Sequence, residues 1–263
     1  MDTDLTGSAR IAVLIDADNT SPKYAEALLD ELAKYGTPTI KRAYGDWSSR
    51  NLGGWTKELD ARAIRAMHQK AFTTGKNSTD SALIIDAMDL LYAGNVEAFA
   101  IVSSDSDFTS LVHRLRESGK TVYGLGRERT PSSLQNACDL FIGLELLGAE
   151  DTPESAPDES DAGPDAGPVR KANPQSVLTK AVNATVGEDG WASLSAMGSH
   201  IQRSQPSFDP RAFGHTKLGE LVAAQPYLET QADGRATRVR LKQARKKATA
   251  KKSAAKKGAA KKS

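Results

Sequence analysis

Two short runs, Ile11-Ala12-Val13-Leu14-Ile15 and Ala98-Phe99-Ala100-Ile101-Val102, are apolar at every position. A strand with one wet face alternates apolar and polar residues, so a short run without alternation reads as a strand buried on both faces. The segments around these runs have helical periodicity. Ser21-Pro22 opens a helix in which Tyr24, Leu28, Leu29 and Leu32 recur, and Gly36 closes it. Thr39–Tyr44 fits a second strand, and Trp55–His68 a helix with Leu59, Ala63, Ile64 and Met67 on one side, followed by a short extended piece at 69–73. Ser78 or Thr79 caps a long apolar helix through Leu83, Ile84, Ala87, Leu90 and Leu91 that ends at Gly94. A helix over Phe108–Glu117 and strands at Thr121–Leu125 and Leu140–Ile142 complete the series. Strands alternating with helices predict an α/β fold, a doubly wound parallel sheet covered on both faces. Ligands of such sheets sit at the carboxyl ends of the strands.

Those ends are acidic. Ile15 runs into Asp16-Ala17-Asp18-Asn19, and Val102 into Ser103-Ser104-Asp105-Ser106-Asp107. Lys76-Asn77-Ser78-Thr79-Asp80 stands at the start of the long helix. In a parallel sheet Asp16 and Asp105 leave adjacent strands at one edge, and Asp80 projects toward them. Clustered carboxylates repel unless something cancels their charge. A hard divalent cation, Mg²⁺ or Mn²⁺, does so with few carboxylates and retained waters, an arrangement suited to phosphodiester hydrolysis. In this reading Asp16, Asp80, Asp105 and Asp107 bind metal, while Asn19, Lys76, Ser103 and Ser104 face the substrate. A lone Asp after a buried strand also serves as a helix N-cap, and Asp107 before Phe108 fits that role; taken jointly, the set favours a metal site. Asp86 and Asp89 read as solvent-facing or capping, and Asp46 as a turn residue.

The net charge of +2 conceals a segregation: Arg235–Ser263 holds 13 Lys/Arg and no acid, leaving 22 basic against 33 acidic residues before it. Residues 149–171 are an acidic, Pro/Gly-rich linker with almost nothing large and apolar, which reads as disordered. A small module follows at 172–242. Its first helix carries Val177, Leu178, Ala181 and Val182, a second follows Gly190–Leu194, a third spans His215–Ala224, and a β-ribbon turns at Asp233-Gly234. The Lys/Ala repeats of 243–263 form a low-complexity tail that binds phosphate backbone without sequence preference, DNA included.

Other residues carry weaker signals. No two of the four histidines have metal-binding spacing, and the single Cys138 excludes an internal disulfide and reads as a small buried hydrophobe. Gly124-Leu125-Gly126, with Arg127 and Arg129 after it, is a fragment of a phosphate-binding pattern. Trp191 and Phe208 suit either base stacking or a small core. No run approaches the ~20 apolar residues of a membrane helix, and the polar, acidic N-terminus does not read as a secretory signal. A cytoplasmic, membrane-free protein is expected, with the tail allowing association with the nucleoid.

Arg10–Asn19 (RIAVLIDADN), Gly75–Tyr92 (GKNSTDSALIIDAMDLLY) and Ala100–Phe108 (AIVSSDSDF) closely resemble the NYN family of PIN-like nucleases, in its bacterial LabA-like branch. The resemblance covers residues 8–148. It implies a PIN-like fold, metal-dependent ribonuclease activity and an acidic site on Asp16, Asp80, Asp105 and Asp107, with Asn19 matching the motif's asparagine and Asp18 ranked below the others. Asp189–Leu194 (DGWASL), Ser207–Phe213 (SFDPRAF) and Gly214–Leu221 (GHTKLGEL) resemble the OST-HTH/LOTUS domain over about 172–242. That resemblance implies a winged-helix-like fold that binds RNA or, in some members, a protein partner. The expectation is a Mg²⁺- or Mn²⁺-dependent ribonuclease whose second module and tail hold RNA. The alternative is a non-catalytic RNA- or DNA-binding regulatory adaptor.

Overall fold

The computed structural model describes residues 8–48, 52–68, 78–148, 173–233 and 236–242. The strands β1 (Arg10–Asp16), β2 (Thr37–Gly45), β3 (Arg65–His68), β4 (Ala98–Val102), β5 (Thr121–Gly126) and β6 (Leu140–Gly143) form one sheet in the order β3-β2-β1-β4-β5-β6. Every pairing in it is parallel. Helices α1 (Ala25–Leu32), α2 (Gly53–Ala61), α3 (Ser78–Ala93), α4 (Thr109–Glu117) and α5 (Ser132–Ala137) cover it.

Both all-apolar runs are central strands. Successive side chains of a strand point to opposite faces, and β1 divides accordingly. Ala12 and Leu14 pack with Phe99 and Ile101 of β4, Leu83, Ala87 and Leu90 of α3, and Leu111, Val112 and Leu115 of α4. On the other face Ile11, Val13 and Ile15 pack with Ala98, Ala100 and Val102, Leu28 and Leu32 of α1, and Trp55 of α2. Fully burying each large aliphatic side chain contributes about 1.5–3 kcal/mol, so the absence of alternation in β1 and β4 is the signature of two cores sharing one sheet.

The expected helix over Trp55–His68 is instead two elements. α2 ends at Ala61, Ala63 adopts a left-handed conformation (φ 50°), and Arg65–His68 becomes β3 on the open edge of β2, with Arg42 opposite Arg65 and Gly45 opposite His68. Helical periodicity through Ile64 and Met67 is overridden by the strand edge that β2 offers. The extended piece expected at 69–73 lies outside the described residues, as do the linker at 149–171 (with residue 172) and the tail at 243–263. Helix α5, after Pro131, is an element that the periodicity does not announce.

α3 is fixed to the sheet by a polar contact as well as by its apolar side. The Asp86 carboxylate accepts hydrogen bonds from the Arg42 guanidinium and the Tyr44 hydroxyl, both on β2. Asp86 is therefore a paired, half-buried anchor and not the solvent-facing or capping residue expected from the sequence, whereas Asp89 is exposed. The glycines after β4 are packing residues: a Cβ on Gly124 would lie 2.5 Å from Cys138 Sγ, and one on Gly126 2.6 Å from the Ser103 carbonyl oxygen. Cys138 itself is buried, and burial pushes its thiol up to about 12.

The second module has helices α6 (Pro174–Thr185), α7 (Leu194–Ser204) and α8 (Leu218–Ala223). Its sheet has the order β7-β9-β8, with β7 at Ala192–Ser193, β8 at Leu228–Asp233 and β9 at Ala236–Leu241, all antiparallel. Asn173 and Ser193 cap α6 and α7 with side-chain oxygens that accept N–H bonds from Gln175 and Ala196. Val177, Leu178, Met197, Ile201, Leu221 and Val239 centre its core. Trp191 lies beneath the Arg240 guanidinium, 4.3 Å from the ring centroid. Among the described residues no helix is long and apolar enough to cross a membrane.

Among the described residues, two polar contacts join the module to the larger domain. The Phe141 N–H of β6 donates to the Pro206 carbonyl at 3.0 Å. Arg211, held by Asp209, forms a two-pronged pair with Glu31 at the end of α1, both contacts 3.1 Å. Glu31 is only 5% exposed. Burial pushes its carboxyl up, but hydrogen bonds and charges from Lys34 and Arg211 outweigh burial and hold it below the usual range. This stabilisation is present above the ordinary carboxylate range and is lost as pH falls through the depressed value.

Two outcomes follow. Asp86→Ala leaves the Arg42 guanidinium without its carboxylate and is expected to cost on the order of 2–3 kcal/mol, read by urea denaturation; an unchanged midpoint refutes the anchoring role. Arg211→Ala is expected to enlarge the radius of gyration in small-angle scattering at pH 7 while each domain keeps its circular dichroism, and acidification of the wild type is expected to do the same.

Candidate active site

Strand order reverses direction between β1 and β4: the chain first builds outward through β2 and β3, then returns and builds outward the other way through β5 and β6. At such a switch point the loops leaving two adjacent strands part and open a crevice at their carboxyl ends. Asp16 ends β1, and Ser103–Asp107 follows β4 immediately. The Ser103 N–H still donates to the Leu125 carbonyl at 3.0 Å, so the β4 loop starts from a fixed point.

Asp16 is the buried member, 1% exposed. One oxygen, Oδ2, accepts from Asn19 Nδ2 at 2.9 Å and Ser103 Oγ at 2.8 Å, and Oδ1 accepts from the Asn19 backbone N–H at 3.3 Å. Burial raises the affinity of Asp16 for a proton, and the bonds from Asn19 and Ser103 oppose that rise without cancelling it. Ser103 Oγ also accepts the Asp105 N–H at 3.1 Å, linking the two loops through one hydroxyl. Asp105 caps the short turn Ser106–Phe108 by accepting the Asp107 N–H at 2.9 Å. The capping role expected of Asp107 thus falls to Asp105, and Asp107 is exposed. Ser104 Oγ accepts the Arg127 N–H at 2.8 Å and ties the loop after β5 to the same edge. Arg127 and Arg129, both exposed, stand on that loop.

Asp80 comes from the first turn of α3. Its carboxyl is pushed up to about 6, first by burial and then by the negative charges of Asp16, Asp105, Asp107 and Asp18. The other three carboxylates singled out by sequence therefore act on Asp80, and Asp18, ranked below them, does so too. Lys76 lies outside the described residues. Among the described residues no group of three or more His, Cys, Asp or Glu side chains is placed to hold a metal ion. Carboxylate oxygens are the donor type that Mg²⁺ and Mn²⁺ take, through one or two carboxylates with water on the other positions.

Asp80 gives a direct test of this crowding. Its folded value lies above its unfolded one, so the folded state holds the extra proton between about pH 4 and 6 and loses relative stability as pH rises through that window. Asp80→Asn is expected to raise the melting temperature of the metal-free protein at pH 7.5 and to have a much smaller effect near pH 4, read by calorimetry. Equal effects at both pH values would refute the mutual repulsion.

Comparison with known proteins agrees with this architecture. Residues 10–145 match the NYN domain, and residues 170–239 match the OST-HTH/LOTUS domain. An uncharacterized protein of Methanocaldococcus jannaschii is 30% identical over 143 residues, which cover 52% of this chain and 56% of that protein. The chain thus spans only about half the length of that curated relative. A crystal structure of a protein of unknown function from Vibrio parahaemolyticus is 19% identical with a TM-score of 0.45, covering 54% of this chain and 96% of that one. A solution structure of a segment of a Chromobacterium violaceum protein is 35% identical with a TM-score of 0.25, covering 28% of this chain and 85% of that one. With its parallel sheet and the NYN match over more than half its length, the chain belongs to the NYN domain family and carries an OST-HTH/LOTUS domain after it.

Proposed function

We propose that the protein is a Mg²⁺- or Mn²⁺-dependent ribonuclease that hydrolyses RNA phosphodiester bonds at the β1/β4 crevice, with the LOTUS domain holding RNA. The observation that carries this reading is Asp80, whose carboxyl is pushed up to about 6, first by burial and then by four other carboxylates in the crevice of an NYN domain. A purely structural carboxylate is stabilised by its surroundings; this one is destabilised by them, and perturbed groups in a cleft mark functional sites.

A divalent cation bound here supplies a water of lowered pKa and stabilisation of charge on the leaving oxygen. The chain supplies the rest. Asn19 and Ser103 fix Asp16 in one orientation, so its oxygens are preorganised. Asp80, Asp105 and Asp107 extend the negative field outward from that buried anchor, and Asp80, mostly ionised at neutral pH but pushed up to about 6, accepts a proton there with a smaller driving-force penalty than an ordinary carboxylate. Arg127 and Arg129 sit at the same sheet edge, where an anionic backbone needs a counter-charge.

Asp105→Asn keeps the size of the capping side chain and removes its charge. Incubated with labelled single-stranded RNA, structured RNA and single-stranded DNA, each with Mg²⁺, Mn²⁺ or EDTA, the wild type is expected to cut RNA only with metal, and Asp105→Asn to lose at least a hundredfold of that rate while melting normally. Cleavage undiminished in the variant refutes the site. An uncut substrate together with no Mn²⁺ uptake in calorimetry supports the adaptor reading instead, which the absence, among the described residues, of any group of three His, Cys, Asp or Glu placed to hold a metal ion favours.

A further inference from the structure

We propose that the cleft between the two domains is a channel for single-stranded RNA that leads from the LOTUS domain to the acidic crevice; this rests on the ribonuclease reading for the identity of its cargo. The cleft measures about 1040 Å³, at or above the upper end of the roughly 300–1,000 Å³ usual for small-molecule sites. One wall is the Glu128–Asn136 segment of the larger domain with α5, and the other is the Gln202–Phe213 segment of the LOTUS domain. At one end it is lined by Ser106, the residue between Asp105 and Asp107. The cleft therefore touches, at Ser106, the loop that carries two of the site's carboxylates.

Its chemistry is that of a backbone-tracking groove. Of four guanidiniums on its walls, Arg116 is paired with Asp139, and Arg211 with Asp209 and Glu31. Arg129 and Arg203 are exposed, one on each wall, and neither has a carboxylate partner among the described residues. Four carboxylates share these walls: Asp139 and Asp209 are paired with Arg116 and Arg211, Glu145 accepts the Glu128 N–H and keeps its charge, and Glu128 adjoins Arg129 in the chain. On the LOTUS side Phe208 and Phe213, half-buried with ring centroids 5.4 Å apart, stand at the wall. Opposed cations with an aromatic platform are how single strands are held: phosphates meet the cations and unstacked bases lie on the rings. The contacts that seat the LOTUS domain, Glu31–Arg211 and Phe141–Pro206, hold the two walls at a fixed separation.

The test uses the full chain carrying Asp105→Asn, so that bound RNA stays intact, and a fluorescein-labelled twelve-nucleotide RNA with 4-thiouridine at single positions. Photocrosslinks are expected on peptides from 128–136 and 202–213. The double variant Arg129→Glu/Arg203→Glu, whose positions are exposed, is expected to melt normally, lose those crosslinks and bind at least tenfold more weakly at 150 mM salt. Its salt slope is expected to fall by about 1.4, the value for two phosphate contacts on a single strand, and Arg129→Lys/Arg203→Lys is expected to restore it. Crosslinks that avoid both walls, as would follow if the cleft takes a protein or only the 243–263 tail holds the RNA, would overturn the channel. The wild type is assayed for metal-dependent cleavage in parallel. Cleft crosslinks without cleavage support the channel and count against the ribonuclease, while cleavage without cleft crosslinks does the reverse.

Discussion

Electrostatic repulsion among carboxylates at the β1/β4 crevice is what the surrounding structure is arranged to contain. Asp16 is held in place at the end of a strand with no exposed apolar residue, by an amide three residues on and a hydroxyl from the next strand. Asp80 is held by a helix that both cores of the domain do not share equally: α3 packs on one face only, and its Asp86 is fastened to β2 by an arginine and a tyrosine. Asp105 is held by its own turn. Each acid is thus attached to a different element, and each attachment works against the tendency of like charges to part.

The same arrangement explains why the site is open on one side. Three loops, after β1, β4 and β5, are tied together by two hydroxyls: that of Ser103 donates to the Asp16 carboxylate, and that of Ser104 accepts the Arg127 N–H. Gly126 permits the β5 end to lie against the Ser103 carbonyl, an approach that a Cβ would block. Beyond these ties, exposed Asp107 stands on the loop after β4, and exposed Arg127 and Arg129 on the loop after β5.

Much of this was legible in the sequence for physical reasons. Runs such as Ile11–Ile15 can be satisfied only by burial on both faces, so β1, β4 and the position of Asp16 and Asp105 at their ends follow from hydrophobicity alone. Asp80 followed from its place at the head of an apolar helix. β3 was not legible, because Arg65–His68 has no strand character of its own and extends only since β2 leaves an edge to pair with. The Arg42–Tyr44–Asp86 contact was hidden for a related reason: residues 42 and 44 meet 86 through sheet register and helix placement, not through any spacing in the chain. Ser103 read as a polar residue facing substrate, whereas its hydroxyl is spent on Asp16 and the Asp105 N–H.

The hydrogen bond from the Phe141 N–H to the Pro206 carbonyl has a meaning beyond domain seating. β6 is the terminal strand of the six-stranded sheet, and an unpaired terminal strand offers its backbone groups to any extended chain it meets. The LOTUS domain places a proline-containing segment against that strand, and a proline has no N–H with which to propagate the ladder. The second domain therefore caps that edge at Phe141, where a further strand would otherwise begin its ladder.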